Sequence, residues 1–373
     1  MEMTNKKILL ITTTDNMIWQ FLIPHINRLK EMGNDVECVC SRTGFWFDEL
    51  INKYGLTVHE INFKRNPINF ANLKGWKKLK KLQKEKHFDL VYCQQPVGGL
   101  MGRLFAKKYK LPCIYTAHGF HFYKGCPIQN KLIYKTVEKW LSRYTDILVT
   151  MNEEDYQAAL KMKAKKVFKI NGIGVDLSKY KMNDKLNRAE FKKSLGLNED
   201  DFVVTSIGEL NKNKNTLRLI EVISKIENPN VKYLICGQGP LKENYVKAIQ
   251  KYNLQDRVIM LGFRKDIPDI LTISDLYIMP SYREGLPKSM MEAMCYGLPI
   301  VASNIRGNSD LVGDNDGGIL VSPTDNEAFK NAIETMVADE GLREKYRLRN
   351  IEYIKNYDID FVIKQLDEIY KEM

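Results

Sequence analysis

The sequence predicts an α/β protein with two doubly wound parallel sheets, and three observations lead to that prediction. Short apolar runs alternate with amphipathic stretches of helical period along nearly the whole chain, which is the pattern of parallel strands joined by helices. At 373 residues the chain exceeds one ordinary hydrophobic core. A polar turn with two glycines, residues 171–176, predicts a hinge between two halves. Two such domains place a ligand at the carboxyl ends of their strands, in the cleft between them.

The first half contains a regular succession of strands and helices. We predict strands at residues 7–14, 36–40, 58–61, 89–93, 112–117, 146–151 and 167–170. Between them we predict helices at residues 19–32, 45–54, 70–86, 98–109, 129–143 and 153–161. A polar turn, residues 13–16, is expected to separate the first strand from the first helix.

The second half repeats the scheme. We predict strands at residues 202–207, 233–236, 258–261, 276–279 and 300–302, and a last helix at residues 359–372. The predicted domains are residues 1–170 and residues 171–357. Residues 358–373 are expected to form a terminal helix that returns to the first domain.

Composition indicates a globular cytoplasmic protein. Hydrophobic residues make up 44% and charged residues 28% of the chain, and no apolar run approaches the ~18 residues of a membrane-spanning helix. The amino-terminal apolar run is that of a strand and lacks a signal-peptide cleavage site. The seven cysteines include no C-x-x-C pair, so we interpret them as reduced, buried thiols.

The formal charge of +11 is concentrated in the first half. Residues 1–170 hold 29 Lys and Arg against 15 Asp and Glu, a balance of +14, and the remainder hold 28 against 31, a balance of −3. Such asymmetry predicts an anionic partner, a nucleic acid or a membrane surface. No recognised nucleic-acid-binding module accompanies the charge, so we predict no nucleic acid.

The densest basic patch lies on the predicted helix at residues 70–86. Apolar residues follow one narrow stripe of this lysine-rich segment, at Phe70, Leu73, Trp76, Leu79 and Leu82. The pattern has two interpretations. It is typical of a surface helix that packs on its own sheet with a solvated basic face, and also of a helix that contacts an anionic membrane.

The stretch of residues 274–303 predicts a ligand site. It forms a strand, a loop with Glu284, a helix with Pro287 in its first turn, and a second strand. The amides of Lys288 and Ser289 at the helix start would suit a phosphate. Glu292 lies roughly 6–8 Å farther along the helix, about the step from a diphosphate to a ribose. An ordinary surface helix with solvated carboxylates would show the same residues.

Four motifs in this order resemble the family 4 glycosyltransferases of the GT-B fold along nearly the whole chain. They are the Glu284 and Glu292 pair in EGLPKSMME, SIGEL followed by Lys214, and the segments at residues 171–176 and 116–119. The resemblance is nearest to bacterial enzymes of capsule, exopolysaccharide and lipid-linked oligosaccharide assembly. It implies two facing domains, with acceptor binding in residues 1–170 and donor binding in residues 171–357.

The resemblance also implies roles for residues of the donor site. Glu292 would hold the ribose of a nucleotide, with uridine expected, and Glu284 the hydroxyls of the donor sugar. Lys214 would neutralise the departing diphosphate. The other donor-binding positions are Gly208, Glu209, Arg264 in the base pocket, and the backbone through Leu286, Pro287, Lys288 and Ser289.

In the first half, the resemblance implies that His118 contacts the donor sugar. Asp15 and Asn16 would lie where the family approaches the diphosphate and the acceptor. Two positions depart from the family pattern. The first turn reads Thr-Thr-Thr-Asp-Asn where the family usually has a Gly-Gly pair, and Glu209 stands where an arginine is common. One phosphate-neutralising cation is then missing, and Lys214 would take over its role with help from Lys212. Glu209 would orient Lys214 or bind the sugar.

The resemblance implies retention of anomeric configuration with no metal and no cofactor beyond the nucleotide sugar. The acidic pairs Asp314/Asp316 and Asp358/Asp360 lack further carboxylate neighbours, so we do not interpret them as hard-cation sites. The expected acceptor is a polyprenyl-diphosphate-linked sugar or another cell-surface glycan, reached at the inner face of the cytoplasmic membrane. Two other readings remain open, a nucleotide-sugar 2-epimerase and a non-catalytic partner subunit.

Overall fold

A computed structural model of the chain describes residues 3–44, 46–64, 69–180, 183, 185–313 and 316–373, apart from the side chain of Ala71. The chain forms two compact units. Unit 1 comprises Met1–Gly174 and Ile359–Met373, and unit 2 comprises Val175–Asp358.

Unit 1 is built on a seven-stranded parallel sheet. Its strands are β1 (Lys7–Thr14), β2 (Asp35–Ser41), β3 (Thr57–Glu60), β4 (Leu90–Gln94), β5 (Cys113–Ala117), β6 (Ile147–Thr150) and β7 (Lys166–Lys169). Their order in the sheet is β3-β2-β1-β4-β5-β6-β7. The order reverses between β1 and β4, as in a doubly wound fold.

The helices of unit 1 join these strands. They are α1 (Asp15–Met17), a π-helix (Ile18–Leu22), α2 (Ile23–Glu31), α3 (Trp46–Asn52), α4 (Ala71–Lys86), α5 (Pro96–Tyr109), α6 (Ile128–Leu141), a 3₁₀ turn (Ser142–Tyr144) and α7 (Glu153–Ala159). One hydrophobic cluster joins one face of the sheet to α4, α5 and α6, with Leu79, Phe105 and Tyr134 as members from the three helices.

The predicted polar turn at residues 13–16 is wrong. The chain becomes helical at Asp15, directly after β1, and passes through the π-helix before α2. Pro24 in the first turn of α2 has no N–H to donate to the carbonyl four residues earlier. The wider π turn accommodates the missing bond. The helical segment therefore begins at Asp15, four residues before the start predicted from the apolar pattern.

Unit 2 is built on a six-stranded parallel sheet. Its strands are β8 (Phe202–Ile207), β9 (Val231–Cys236), β10 (Val258–Gly262), β11 (Leu276–Met279), β12 (Ile300–Ser303) and β13 (Gly318–Val321), in the order β10-β9-β8-β11-β12-β13. Its helices are α8 (Arg188–Ser194), α9 (Leu217–Ser224), α10 (Lys242–Lys251), α11 (Ile267–Ile273), α12 (Lys288–Cys295), α13 (Asn308–Val312), α14 (Asn326–Ala338) and α15 (Glu340–Tyr353), followed by a 3₁₀ turn (Ile354–Tyr357).

Strand β13 is absent from the sequence prediction. It pairs with β12 from Ile300↔Gly318 to Ser303↔Val321. A Cβ built on Gly318 would lie 2.0 Å from the carbonyl oxygen of Ile300, so the edge pairing requires glycine at this position. The Gly317-Gly318 pair indicates a turn by sequence rules, which conceals the strand.

The terminal helix α16 (Ile359–Lys371) belongs to unit 1. The guanidinium of Arg28 on α2 donates to both carboxylate oxygens of Asp367, with Nε–Oδ1 at 2.9 Å and Nη2–Oδ2 at 2.9 Å. The ring of Tyr370 packs edge-on against Tyr92 of β4. Among the described residues, no helix combines the length and the apolar character needed to cross a membrane.

The fold prediction is confirmed in its central point. Each unit is a doubly wound parallel sheet with helices between successive strands. The carboxyl ends of the strands therefore form one edge in each unit, and the side chains that follow those ends are the candidates for function.

Candidate functional site

The loop after β11 carries Glu284 and is held from two sides. The amide of Asn213 donates to the carbonyl of Arg283 at 2.9 Å, and Nε of Arg306 donates to the carbonyl of Glu284 at 3.2 Å. A Cβ on Gly307 would lie 2.3 Å from the carbonyl oxygen of Gly285, so the loop after β12 approaches at a distance that only glycine allows. These contacts fix the backbone that carries the Glu284 carboxylate.

Glu284 forms an ion pair with Lys214. The Lys214 Nζ lies 2.8 Å from Glu284 Oε1, and the two side chains are only 22% and 12% exposed. Lys214 is set by its own loop, where its backbone N–H donates to Asn211 Oδ1 at 2.9 Å. The pair places one cation and one anion together at the carboxyl edge of the unit 2 sheet.

Gly208 provides the space that Lys214 occupies. A Cβ on Gly208 would lie 3.3 Å from the Lys214 Cε, and a Cβ on Gly237 would lie 1.8 Å from the Gly208 carbonyl oxygen. The ends of β8 and β9 therefore meet backbone to backbone. Glu209 is exposed and accepts a hydrogen bond from the amide of Asn211 at 2.9 Å, whereas the ammonium of Lys214 is held by Glu284.

Helix α12 begins one residue later than its sequence indicates. Pro287 is the N-cap, with φ −79° and ψ 112°, and the helix starts at Lys288. Because the ψ of Pro287 is extended and not helical, Pro287 is the last residue of the loop and lies just before the first turn of α12. Leu286 packs against the hydrophobic cluster beneath the loop. The Ser289 hydroxyl accepts a hydrogen bond from the Tyr277 hydroxyl at 2.8 Å, which fixes the first turn on β11.

Glu292 lies one turn farther along α12 and is held by two donors. The Tyr180 hydroxyl donates to Glu292 Oε1 at 2.5 Å, and Lys288 Nζ lies 3.4 Å from the same oxygen. Burial, followed by the charge of Glu292, raises the pKa of Tyr180, so this hydroxyl keeps its proton. Sequence reasoning missed Tyr180, because a lone tyrosine 112 residues away carries no local signal.

Arg264 follows β10 at the same edge of the sheet. Its Nε donates to Asp266 Oδ1 at 2.7 Å, and a second bond joins Arg264 Nη2 to Asp266 Oδ2. The hydrogen bond to Asp266 raises the pKa of Arg264 and lowers that of Asp266. The guanidinium is therefore a fixed, partly exposed cation.

In unit 1, His118 lies just beyond the carboxyl end of β5. Its Nε2 is 2.6 Å from Oε1 of Gln94, the last residue of β4. Burial, with a smaller contribution from His25, lowers the pKa of His118 to about 3. The ring is therefore neutral near pH 7, and because Gln94 Oε1 only accepts, the hydrogen bond places the ring proton on Nε2.

Asp15 is wholly buried and bonded to backbone. Its Oδ2 accepts from the Thr43 N–H at 2.9 Å, and its Oδ1 contacts the Thr43 hydroxyl and accepts from the Asn16 N–H at 2.8 Å. The carboxylate thus ties the end of β1 to the loop after β2. Within the described part of the chain, Oδ1 of Asn16 is buried without a hydrogen-bond partner.

A cavity of about 250 Å³ lies beside these residues in unit 1, and sequence reasoning missed it. Its walls come from the ends of β1 and β4 and from α5 and α6, and the lining residues are Thr13, Thr14, Gln95, Pro96, Val97, Leu100, His121, Tyr134, Val137, Glu138 and Leu141. Gln95 Oε1 accepts from the Thr13 N–H at 2.9 Å. The Gln94-Gln95-Pro96 sequence at the carboxyl end of β4 was the available sequence signal for this cavity.

The described residues contain no group of three or more His, Cys, Asp or Glu that could hold a metal ion. Asp314 and Asn315 lie outside the described residues. Asp358 Oδ1 accepts from the Leu177 N–H at 3.5 Å.

Two family models match the chain. The family model for glycosyl transferase 4-like proteins matches residues 7–152, and the model for glycosyl transferases group 1 matches residues 187–356. The chain is 33% identical to EpsD of Bacillus subtilis, named as a glycosyltransferase, over 89% of this chain and 87% of EpsD.

It is 31% identical to the Escherichia coli UDP-Gal:α-D-GlcNAc-diphosphoundecaprenol α-1,3-galactosyltransferase, over 91% of this chain and 89% of that protein. The crystal structure of Anabaena HepE in complex with UDP matches with a TM-score of 0.82 at 20% identity, over 98% of this chain and all of HepE. At this identity, the match to HepE shows similarity of fold alone.

Proposed function

The chain belongs to the family 4 glycosyltransferases of the GT-B fold, and on that premise we propose that it is a retaining, metal-independent enzyme. It moves a hexosyl or N-acetylhexosaminyl group from a UDP-sugar to a polyprenyl-diphosphate-linked acceptor or another cell-surface glycan. The observation that carries the proposal is the Lys214–Glu284 ion pair beside the N-terminus of α12, because it combines a phosphate-neutralising cation with a carboxylate for sugar hydroxyls.

The unit 2 residues support a UDP-sugar as donor. The N-terminus of α12 and the ammonium of Lys214 suit a diphosphate. Glu292 is held by Tyr180 and Lys288 through Oε1, which leaves Oε2 for the ribose hydroxyls. Arg264 is assigned to the base pocket. The UDP bound in the HepE crystal structure and the UDP-galactose in the name of the E. coli relative support uridine.

The mechanism that we assign needs no metal. As the bond to the sugar breaks, negative charge grows on the diphosphate, and Lys214 and the first-turn amides of α12 stabilise it. The acceptor hydroxyl attacks on the face from which the diphosphate leaves, which retains configuration. Glu284 serves as an anchor for the sugar hydroxyls, because a carboxylate paired with Lys214 is a weak nucleophile. His118 keeps the role that the family resemblance implies, a contact to the hydroxyls of the donor sugar.

Unit 1 supports an acceptor with a lipid anchor. The cavity beside Thr13 and Gln95 has mostly apolar walls with a few polar groups, and the buried Oδ1 of Asn16 has no hydrogen-bond partner among the described residues. The E. coli relative is named for a diphosphoundecaprenol-linked acceptor. We assign Asn16 to the acceptor and Asp15 to the support of that loop, at the cytoplasmic face of the membrane.

The test is a calorimetric screen of nucleotide sugars, followed by transfer assays on polyprenyl-diphosphate-linked acceptors. The proposal expects one or two UDP-sugars to bind and to react only when acceptor is present. Release of an epimerised sugar nucleotide without acceptor would identify the epimerase instead. Donor binding with no turnover on any acceptor would favour a partner subunit. The Glu284→Gln variant is the matched control for enzyme-dependent transfer.

A further inference from the structure

Helix α6 has its apolar residues on the outside. Five large apolar side chains of this helix are 39–75% exposed: Ile128, Leu132, Ile133, Val137 and Trp140. The acidic residue Glu138 instead points inward, where it pairs with a fully buried arginine, Arg103. A surface helix ordinarily buries its apolar stripe and exposes its charges. An exposed apolar stripe of this size marks a surface with a partner.

The orientation of α6 is fixed by the Arg103–Glu138 pair. Arg103 Nη1 and Nη2 lie 2.7 and 3.2 Å from the Glu138 carboxylate oxygens, and Arg103 Nε donates to the Gly99 carbonyl at 2.9 Å. Burial by itself lowers the pKa of Arg103, but the charges of Glu138 and Tyr115 and the hydrogen bonds to Glu138 together outweigh burial, so the pKa is raised. Rotating α6 would leave a buried charge unpaired, at a cost of about 3–5 kcal/mol.

Positive charge surrounds the apolar stripe. Lys131, Lys135 and Lys139 of α6 are exposed, and Glu138 is the only acidic residue in this helix. Residues 70–144 hold 16 Lys and Arg against 3 Asp and Glu, whereas the rest of residues 1–170 holds 13 against 12. The basic excess of the first half therefore lies on the segment of α4, α5 and α6, which cover one face of the sheet.

A basic hollow adjoins the carboxyl end of α6. Its volume is about 310 Å³, and its charged lining residues are Lys107, Lys110, Arg143, Lys165 and Asp146. Lys107 Nζ donates to the Tyr144 hydroxyl at 2.8 Å and lies 5.7 Å from the ring centroid of Trp140. Lys165 is ion-paired with Asp146 at 2.5 Å, so the hollow carries a net positive charge beside an exposed indole.

Helix α4 supplies charge but little apolar surface. Trp76, Leu79 and Leu82 pack into the unit 1 core, so only Phe70 and Leu73 at its start are exposed large apolar side chains. Thus α4 packs on its own sheet, as one of the two sequence interpretations expects. The apolar contact surface of this face lies on α6.

We propose that the outer face of α6, with the basic hollow at its end, docks unit 1 on an anionic lipid bilayer. The apolar side chains and Trp140 enter the boundary of the acyl chains, and the lysines and Arg143 bind headgroup phosphates. A second copy of the chain fits less well, because a symmetric contact through α6 would place lysines against lysines. Val137 also lines the 250 Å³ cavity, so docking would bring that cavity to the lipid surface. This inference refines the proposed lipid-linked acceptor, but bilayer binding itself requires no transfer.

The experiment measures flotation with phosphatidylcholine:phosphatidylglycerol vesicles at about 7:3, comparing Ile133→Glu with Leu348→Glu. The two residues are 60% and 57% exposed, and Leu348 lies on α15 of unit 2. Ile133→Glu is expected to lower the partition coefficient by about tenfold or more, because it removes apolar burial worth about 1.5 kcal/mol and adds a negative charge. Leu348→Glu is expected to bind as the parent does. Equal binding by the two variants would overturn the proposal.

The charge arm replaces Lys131, Lys135 and Lys139 by Gln. Binding to the anionic vesicles is expected to fall about a hundredfold, since each lysine near the surface contributes about 1 kcal/mol. The control replaces Lys242, Lys247 and Lys251 of α10 by Gln, so it has the same net charge as the α6 variant. Its binding is expected to match that of the parent. A parent protein that binds pure phosphatidylcholine as tightly as the anionic vesicles would contradict the charge argument.

Tryptophan quenching shows which surface enters the lipid. Brominated lipid is expected to quench parent fluorescence, and Trp140→Phe is expected to remove that quenching; persistence of quenching would refute insertion through α6. Thermal melting of Ile133→Glu and Ile133→Ser checks folding. Transfer to a water-soluble acceptor separates the two proposals. If no variant or parent transfers sugar while vesicle binding still follows α6, the proposed function fails and the docking surface stands.

Discussion

The sharpest test of the proposed donor site is replacement of Glu292 by Ala. The Glu292 side chain is 12% exposed, and it is held by Tyr180 at 2.5 Å. A carboxylate that accepts two ribose hydroxyls makes two charge-assisted hydrogen bonds, each worth about 1.5–3 kcal/mol. Removing them is expected to cost at least about 3 kcal/mol, which is a loss of UDP affinity of more than about a hundredfold.

The assay is calorimetric titration of UDP into parent, Glu292→Ala and Tyr180→Phe. Tyr180→Phe keeps the carboxylate but removes the donor that orients it, so we expect a loss of UDP affinity of only about three- to tenfold, the worth of one ordinary hydrogen bond. Glu352→Ala, on an exposed carboxylate of α15, is the matched control. Unchanged UDP affinity in Glu292→Ala would refute the assignment. A Tyr180→Phe loss as large as that of Glu292→Ala would mean that local structure, not ribose contact, is responsible.

Three further predictions concern residues of unit 2 and of unit 1, each unit taken by itself. Glu284→Gln is expected to abolish transfer while UDP affinity stays within about twofold, and parallel loss of UDP binding would contradict its role as a sugar anchor. Gly237→Ala puts a methyl 1.8 Å from the Gly208 carbonyl oxygen, so we expect a loss of about 1–3 kcal/mol in the free energy of unfolding. Gly262→Ala, with positive φ but open space around it, separates this clash from backbone strain in thermal melts. His118 has a folded-state pKa of about 3, below its ordinary value of 6.5, so the unfolded chain binds the proton first and stability falls as pH drops from 6.5 towards 3. His118→Gln is expected to flatten that fall in melts at pH 7 and pH 4.5 relative to His87→Asn, and an unchanged slope would refute it.

The sequence predicted the fold because alternation of strand and helix is a local pattern. Strand β11 is observed at its predicted bounds, Leu276–Met279. Its bounds could be predicted because polar residues precede the apolar run and Pro280 ends it. Two of the errors have local causes as well. Pro24 concealed the early start of the first helix, and the Gly317-Gly318 pair concealed β13.

The site could be predicted only in part. Glu284, Glu292 and Lys214 were selected by spacing and resemblance, yet no spacing rule joins Lys214 to Glu284 or Tyr180 to Glu292, 70 and 112 residues apart. These pairs exist because parallel strands bring successive loops to one edge of the sheet. For the same reason, sequence could not tell that the Asp15 carboxylate is engaged by Thr43.

By itself, the sequence determined that this chain forms two doubly wound sheets, which residues lie at the ends of the strands, and that its basic excess lies in the first half. These follow from local periodicity and from counting. Only the tertiary structure decided which charges pair and which apolar side chains have a place in the core. Helix α6 shows the difference most clearly, because the buried Arg103 that turns Glu138 inward lies on another helix. The apolar outer face of α6 is a consequence of that long-range contact.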